Sequence, residues 1–250
     1  MLCWASGVRS KAVLISSFLL LVLTGCGKNA PDWQNQVSNC PNLNANQQGT
    51  FMAPVPNAPV QLLVDNTFTA DQIEELKQAV DTWNQLGQQL QGQNFFSVQT
   101  ADVPPDLLSS NFAACQTDPG TGTSSLYVVN VTDSQTWKNL GFATNTPGAT
   151  ERCYDGNDNL TMQVTYVNPN LVYSQQFTSV VIHEMGHMLG LGHSCQNSTT
   201  GYPSCQGLSS DDPYVQAVMY PTLSLNSANG QPQVKEQLQS NDQTRAACFY

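Results

Sequence analysis

The chain has 250 residues and a formal net charge of −10 at pH 7, from 8 basic and 18 acidic side chains. This acidic excess argues against partners that are recognised through basic surfaces, such as nucleic acid and anionic lipid. No internal repeat is visible, and the part after residue 58 is long enough to bury roughly 70% of its unfolded surface around one core.

The N-terminus has a short apolar segment after two basic residues. Arg9 and Lys11 precede the apolar run 12–23, which is too short to span a bilayer comfortably and indicates a secretory signal over residues 1–25. The run ends in Leu-Thr-Gly-Cys at Cys26, which resembles the bacterial lipoprotein signal. This resemblance implies cleavage before Cys26 and a lipid-anchored protein in the bacterial cell envelope or on its surface. Simple secretion and an uncleaved anchor are the alternatives.

Loss of the signal changes both the charge and the cysteine count. Six basic and eighteen acidic residues would remain, a formal charge near −12. Cys3 would leave with the signal and Cys26 would carry lipid. The six other cysteines are Cys40, Cys115, Cys153, Cys195, Cys205 and Cys248. An even number in an exported chain indicates up to three disulfides, with fifteen possible connectivities.

The pair that we expect is Cys195 with Cys205, because a short loop is easily closed. The six cysteines could instead bind metal, but no closely spaced Cys-x-x-Cys pair supports that. Residues 26–58 are rich in Asn, Gln and Pro, which favours a flexible tether between the membrane and a folded domain.

Residues 59–250 are predicted to form one α+β domain with a twisted mixed sheet and packed helices. Val60, Leu62 and Val64 alternate as a first strand. Thr69 begins a helix in which Gln72 completes a possible capping box. The apolar stripe of this helix is Ile73, Leu76, Val80, Trp83 and Leu86, and further strands are predicted at 95–98, 126–129 and 162–167.

All three histidines of the chain lie within eleven positions. His183 and His187 are four residues apart, so on a helix they share one face and reach one ion. Gly190 can end that helix in the left-handed conformation, and His193 then completes a set of three nitrogen ligands. Three neutral imidazoles leave a fourth tetrahedral position open, which is typical of a catalytic zinc site.

Glu184 follows the first of these histidines, about 100° further around the helix. It would lie beside the metal, within reach of a water molecule, without coordinating the metal. The predicted chemistry is zinc-assisted hydrolysis, in which Glu184 takes a proton from water and passes it to a leaving amine. The alternative is a helix whose histidines are ordinary core or surface residues.

The pattern His-Glu-x-x-His-x-x-Gly-x-x-His with a later methionine turn resembles the metzincin metalloproteases. Ser194 and the run Val218-Met219-Tyr220-Pro221 resemble the matrixin branch. The resemblance implies a zinc-binding helix, an upper subdomain with the sheet, and a small C-terminal subdomain. It also implies that Met219 lies under the zinc as an apolar floor and does not bind it.

The resemblance extends more weakly over residues 59–250. Residues 140–144 with Pro147 and Gly148 look like the family's edge strand, which pairs with an extended protein or peptide substrate. An ordinary edge strand and loop is the alternative. Leu238 and Asp242 look like the start of the last helix, with Ser240 or Asn241 as the cap. Prosegment cysteines inactivate some family members, but the surroundings of Cys40 do not match that motif.

Two departures from the family pattern stand out. His193 and Met219 are 26 positions apart, where the matrixin link is much shorter, so specificity cannot be transferred. No histidine remains for an additional structural zinc, and we expect one zinc per chain. The oxygen-rich turn 155–159 could bind Ca²⁺, although such runs are more often plain turns.

The sequence therefore predicts an exported zinc endopeptidase with His183, His187 and His193 as metal ligands and Glu184 as the catalytic residue. Two alternatives stay open. One is an inactive surface module that keeps a protease fold for binding, which the presence of Glu184 disfavours. The other is a zinc amidase that acts on cell-wall peptide, which the long insertion leaves possible.

Overall fold

The structure is a computed structural model that describes residues 21–22, 40, 49, 52, 54, 58–109, 125–154, 160–196, 203–223 and 230–250. Its strands are β1 (Leu21–Val22), β2 (Val60–Asp65), β3 (Phe96–Ala101), β4 (Ser125–Asn130), β5 (Gly148–Tyr154), β6 (Leu160–Val167) and β7 (Thr222–Leu223). Its α-helices are α1 (Ala70–Gln91), α2 (Ser134–Asn139), α3 (Phe177–Met188), α4 (Pro213–Gln216) and α5 (Ser240–Ala246). Short 3₁₀ turns lie at Pro105–Leu108, Pro169–Leu171 and Ser174–Gln176.

Five strands form the main sheet in the order β3-β2-β4-β6-β5. The first four are parallel to one another, and β5 runs antiparallel to β6. One face of the sheet packs with α1 and α3, and the other face packs around Trp137 and Tyr166. The mixed α+β fold predicted from the sequence is confirmed. A separate antiparallel pair joins β1 to β7, and cleavage before Cys26 would remove β1.

Helix α1 begins and ends as its sequence predicts. Thr69 accepts a hydrogen bond from the N–H of Gln72, and the Gln72 side chain accepts one from the N–H of Thr69, which completes the capping box. Gly92 ends the helix at φ 73°, a conformation that costs glycine little. The inward stripe includes Leu76 and Trp83, both fully buried.

Helix α1 fixes α3 by packing and by one long-range hydrogen bond. The indole N–H of Trp83 donates to the backbone carbonyl of Ile182 at 2.9 Å, inside the core. Asn84 ties the same helix to the sheet, since its side chain bonds both the N–H and the C=O of Phe96. The position of α3 is therefore set by buried contacts with well-defined geometry.

The predicted edge strand is wrong in its position. Residues 140–147 form turns after α2, and the strand at the sheet edge is β5, which begins at Gly148. The segment folds back because Phe142 packs on Trp137, with ring centroids 4.8 Å apart, and the Trp137 indole donates to the carbonyl of Ala143. An apolar contact with α2 thus takes the place of strand pairing.

The predicted cap of the last helix is also wrong. The N-cap of α5 is Gln239, and neither Ser240 nor Asn241 has that place. Asp242 occupies the third helical position, where its carboxylate accepts a hydrogen bond from the N–H of Gln239 at 3.0 Å. This carboxylate fixes where the helix starts, because it stabilises the free N–H groups of the first turn.

The structure forms the predicted Cys195–Cys205 disulfide and joins Cys40 to Cys248. Cys153 is disulfide-bonded as well. Within the segment predicted to be a tether, the N–H of Met52 also donates to the carbonyl of Gly190 at 2.6 Å. The segment is therefore attached to the domain at these two points. No helix in the described ranges is long and apolar enough to cross a membrane.

Candidate metal centre

Helix α3 carries the first two histidines and is buried along its whole length. His183 and His187 are 1% and 3% exposed, with ring centroids 4.7 Å apart on one face of the helix. Between them, Gly186 leaves room for Met219, since a Cβ at this position would lie 2.2 Å from the Met219 sulfur. Only glycine fits this contact between the helix and the methionine turn.

The helix ends in a turn that places the third histidine. Gly190 has φ 93°, and its N–H donates to the carbonyl of His187 at 3.0 Å. The N–H of Leu191 donates to the carbonyl of Gly186 at 2.9 Å. These two bonds form a Schellman motif, as the glycine in the sequence pattern leads one to expect. The chain reverses there, and His193 comes to lie 5.0 Å from His187 between ring centroids.

The three rings converge on one point. One ring nitrogen from each of His183, His187 and His193 lies within 4.8 Å of the other two. The Nδ1 of His183 bonds the carbonyl of Val218 at 2.8 Å, and the Nδ1 of His187 bonds the carbonyl of Leu191 at 2.7 Å. Because a carbonyl only accepts, each Nδ1 carries the proton and leaves the Nε2 lone pair free.

The unsatisfied atoms support a metal at this point. Among the described residues, the Nε2 atoms of His183 and His187 are buried without a hydrogen-bond partner, and such atoms are costly unless something binds them. Burial lowers the pKa of His187 to about 4 and holds the pKa values of His183 and His193 well below their usual range. The rings are therefore neutral, which is the form that binds zinc.

The methionine turn packs against helix α3 at Gly186 and is held by the last helix. Met219 is fully buried, and its N–H and that of Val218 both donate to the Asp242 carboxylate, at 3.1 and 2.9 Å. Since the carbonyl of Val218 in turn orients His183, the chain of contacts runs from Asp242 to a metal-facing ring. Such support is typical of metal sites.

A second set of contacts holds the turn before His193. The Arg245 guanidinium donates to the carbonyl of Gly192 at 3.0 Å, and Gly49 packs so closely that a Cβ there would lie 3.0 Å from the carbonyl of His193. Ser194 donates through its N–H to Met219 and through its hydroxyl to the carbonyl of Tyr214, both at 2.8 Å. The long insertion thus folds back against the histidine turn.

Glu184 lies beside this centre with its carboxylate turned toward the sheet. It is 1% exposed, and its Oε2 accepts a hydrogen bond from the hydroxyl of Thr150 at 2.8 Å. Burial raises the pKa of Glu184 to about 8, and the bond from Thr150 opposes that rise. A cation at the centre would favour the ionised carboxylate.

The structure brings together all four residues that the motif singles out. It also shows four further residues that support the site: Gly186, Thr150, Arg245 and Asp242. Of these, only Asp242 was singled out from the sequence, as part of the pattern of the last helix. The other three act through contacts between distant parts of the chain, which no local spacing reveals. The predicted calcium turn, residues 155–159, lies outside the described residues.

The class of protein follows from the helix, its glycine turn and the methionine packed against Gly186, which together define a zinc protease of the metzincin type. Residues 30–231 match the model of Metallo-peptidase family M12, and the chain belongs to this family. The family implies a zinc cofactor and a peptide or protein substrate, and the three buried imidazoles fit zinc. The match shows the family and does not show the matrixin branch that the sequence resembles.

Solved structures show a weaker similarity. High choriolytic enzyme 1, a hatching enzyme zinc-protease from the medaka fish Oryzias latipes, is 12% identical, with 76% of this chain and 88% of that chain covered and a TM-score of 0.36. Myroilysin is 16% identical, with 79% and 95% covered and a TM-score of 0.35. Both scores lie below 0.5, so the assignment depends on the family model. A comparison with curated proteins found no match.

Proposed function

We propose that this protein is a zinc-dependent endopeptidase in which His183, His187 and His193 hold one zinc ion and Glu184 transfers the proton. The observation that carries the proposal is the convergence of three ring nitrogens within 4.8 Å, beside a buried carboxylate. Two of these rings have their Nδ1 atoms engaged by backbone carbonyls. A structural zinc would need a fourth protein ligand, and no fourth His, Cys, Asp or Glu joins the group within the described part of the chain.

Zinc and Glu184 would have different roles in the proposed hydrolysis. Zinc bound by the three imidazoles would supply Lewis acidity toward the scissile carbonyl and the attacking water. Glu184 accepts the proton of the attacking water on a carboxylate oxygen and then donates it to the leaving amine nitrogen. Burial raises the pKa of this carboxyl and the Thr150 hydrogen bond opposes that rise, and the charge of a bound zinc ion would further favour the ionised form that accepts the proton.

The proposed substrate is an extended protein or peptide segment. β5 is one of the two edge strands of the sheet, the other being β3, and its Thr150 bonds Glu184. A peptide that paired with the outer edge of β5 would therefore lie next to the carboxylate. Main-chain pairing of this kind recognises peptide backbone whatever the side chains are, which fits an enzyme that cleaves within chains.

We also propose that the enzyme works outside the cytoplasm, anchored by lipid on Cys26. Support comes from the basic and apolar character of residues 1–25 and from the Leu-Thr-Gly-Cys run. Three disulfide-bonded positions outside the Cys40–Cys248 pair, at Cys153, Cys195 and Cys205, fit an oxidising compartment. Expression of the full chain with Cys26→Ser should move it from the membrane fraction to the soluble fraction, and an unchanged distribution would contradict the anchor.

Digestion with and without metal tests the activity. The chain lacking residues 1–25 is incubated with casein and with a library of internally quenched peptides, each with a chelator and again after zinc is restored. We expect internal cleavage that the chelator abolishes and zinc recovers. Release of terminal residues alone would contradict an endopeptidase, and cleavage restricted to cell-wall peptide would favour the amidase. No cleavage of any substrate would favour an inactive binding module.

A further inference from the structure

The hydroxyl of Thr150 donates a hydrogen bond to the Glu184 carboxylate. The distance from Thr150 Oγ1 to Glu184 Oε2 is 2.8 Å, and the backbone carbonyl of Glu184 lies farther from the hydroxyl, at 3.3 Å. Thr150 is 5% exposed and Glu184 is 1% exposed. In such surroundings a hydrogen bond to a charged oxygen is strong and costly to lose.

The same strand shapes the space around the other carboxylate oxygen. Gly148 precedes Thr150 by two positions on β5, so the two residues share one face of the sheet. A Cβ on Gly148 would lie 3.0 Å from Glu184 Oε1 and 2.8 Å from a methyl carbon of Val180. The strand therefore binds one oxygen through Thr150 and leaves room beside the other at Gly148.

The neighbouring strand β6 places a second hydroxyl group beside that of Thr150. Thr165 on β6 pairs with Thr150 across the sheet, and their hydroxyl oxygens are 2.6 Å apart. An ionised carboxylate only accepts, and Thr150 has a single hydroxyl proton. That proton goes to Oε2, and Thr165 must donate to the oxygen of Thr150. Hydrogen bonds thus run from Thr165 to Thr150 and from Thr150 to the carboxylate of Glu184.

We propose that Thr150 is a positioning residue for Glu184: it holds Oε2 so that Oε1 is the oxygen that exchanges protons during hydrolysis. The inference rests on the proposed function, since it assigns a partner to the proposed base. Thr165 supports Thr150, and Gly148 keeps Oε1 accessible. A carboxylate anchored in this way needs no reorientation when the reaction begins.

Kinetics of matched variants tests the role. Thr150→Val keeps the shape and removes the hydroxyl, so we expect kcat to fall roughly 10- to 100-fold, with KM and zinc content unchanged. Thr150→Ser restores a hydroxyl and should recover most of kcat. Thr161→Val is the control, because Thr161 lies on β6 and its hydroxyl donates to the carbonyl of Cys153, at 3.2 Å. A Thr150→Val enzyme with wild-type kcat would overturn the inference.

A stability measurement tests the contact without activity. Thr150→Val should lower the urea midpoint of the zinc-free protein when Glu184 is present, and should lower it much less in a Glu184→Ala background, because the pair is coupled. Equal shifts in both backgrounds would overturn the contact. An inactive wild type that still shows the coupling would instead contradict the proposed function, so the two failures are distinguishable.

Discussion

The guanidinium of Arg245 donates a hydrogen bond to the backbone carbonyl of Gly192 across 3.0 Å, in a fully buried position. Gly192 immediately precedes His193, so this contact joins the C-terminal helix to the third candidate ligand. The same helix holds the methionine turn through Asp242. The short helix α5 thus supports two segments of the metal centre, the turn before His193 and the methionine turn.

Replacement of Arg245 should therefore damage stability and metal binding together. Arg245→Met removes the bonds to Gly192 and Asn241 and a cation that lies 4.0 Å from the buried Asp242 carboxylate. We expect a loss of about 3–5 kcal/mol in the free energy of unfolding and roughly 10- to 100-fold weaker zinc binding. Urea unfolding and chelator competition measure the two effects.

A surface lysine provides the control for that substitution. Lys77→Met removes a cation whose side chain is 53% exposed, and it should change the free energy of unfolding by less than about 0.5 kcal/mol. If Arg245→Met bound zinc as tightly as the wild type, the helix would not support the histidine turn.

Loss of the Glu184 carboxylate should separate metal binding from hydrolysis. Glu184→Ala leaves the three histidines intact, so one zinc per chain should still bind, while peptide hydrolysis falls by about 100- to 10 000-fold. Metal analysis and initial rates measure these two properties. Glu74→Ala, on the exposed surface of α1, is the matched control and should keep full activity. Substantial hydrolysis by Glu184→Ala would refute the assigned role.

The contact between Gly186 and Met219 predicts a non-additive pair of substitutions. Gly186→Ala places a Cβ 2.2 Å from the Met219 sulfur, and such overpacking should cost about 1–3 kcal/mol. Met219→Ala alone leaves a cavity and should cost about 2–5 kcal/mol. In the double variant the new methyl group occupies part of that cavity, so the combined loss should be smaller than the sum. Simple additivity in urea unfolding would contradict the contact.

Lys235 should make stability depend on pH above neutrality. Its ammonium donates to the carbonyls of Val215 and Ala217 and lies 4.6 Å from the ring centre of Tyr220. Burial lowers its pKa to about 7, against the opposing charge of Asp242. The unfolded chain then binds the proton more tightly than the native protein. Folding stability should accordingly rise with pH between about 7 and 10, by at most about 1.4 kcal/mol for each pH unit.

The comparison of two lysine variants isolates this effect. Lys235→Met should lack the rise that the wild type shows between pH 7 and 10, and Lys138→Met, at an exposed position of α2, should retain it. Urea unfolding at a series of pH values provides the free energies. Parallel curves for the wild type and Lys235→Met would show that Lys235 keeps an ordinary pKa.

The sequence predicted what is local in the chain. The capping box at Thr69 and the glycine turn at Gly190 depend on residues within a few positions of one another, and both are present in the structure. The Cys195–Cys205 pair is of the same kind, because its loop is short. Local hydrogen bonding and loop closure leave few alternatives at such places.

Contacts between distant segments could not be predicted from the sequence. Thr150 meets Glu184 only because β5 lies against α3, and a single threonine carries no motif. The position of the edge strand depended on whether Phe142 would extend a strand or pack on Trp137. The Cys40–Cys248 pairing was one of many possible connectivities. In each case the fold decides between locally equivalent choices.

The Cys40–Cys248 bond joins positions near both ends of the chain. If any single peptide bond between these positions were hydrolysed, whether by another protease or by a second copy of this enzyme, both pieces would stay covalently linked. Such a nicked molecule would migrate as one band on a non-reducing gel and as two bands after reduction. If the proposed lipid on Cys26 anchors the protein, the cross-link would keep both pieces of a nicked enzyme at the membrane. Without the cross-link, a cut before residue 177 would leave the piece with the zinc helix without a covalent link to the anchor.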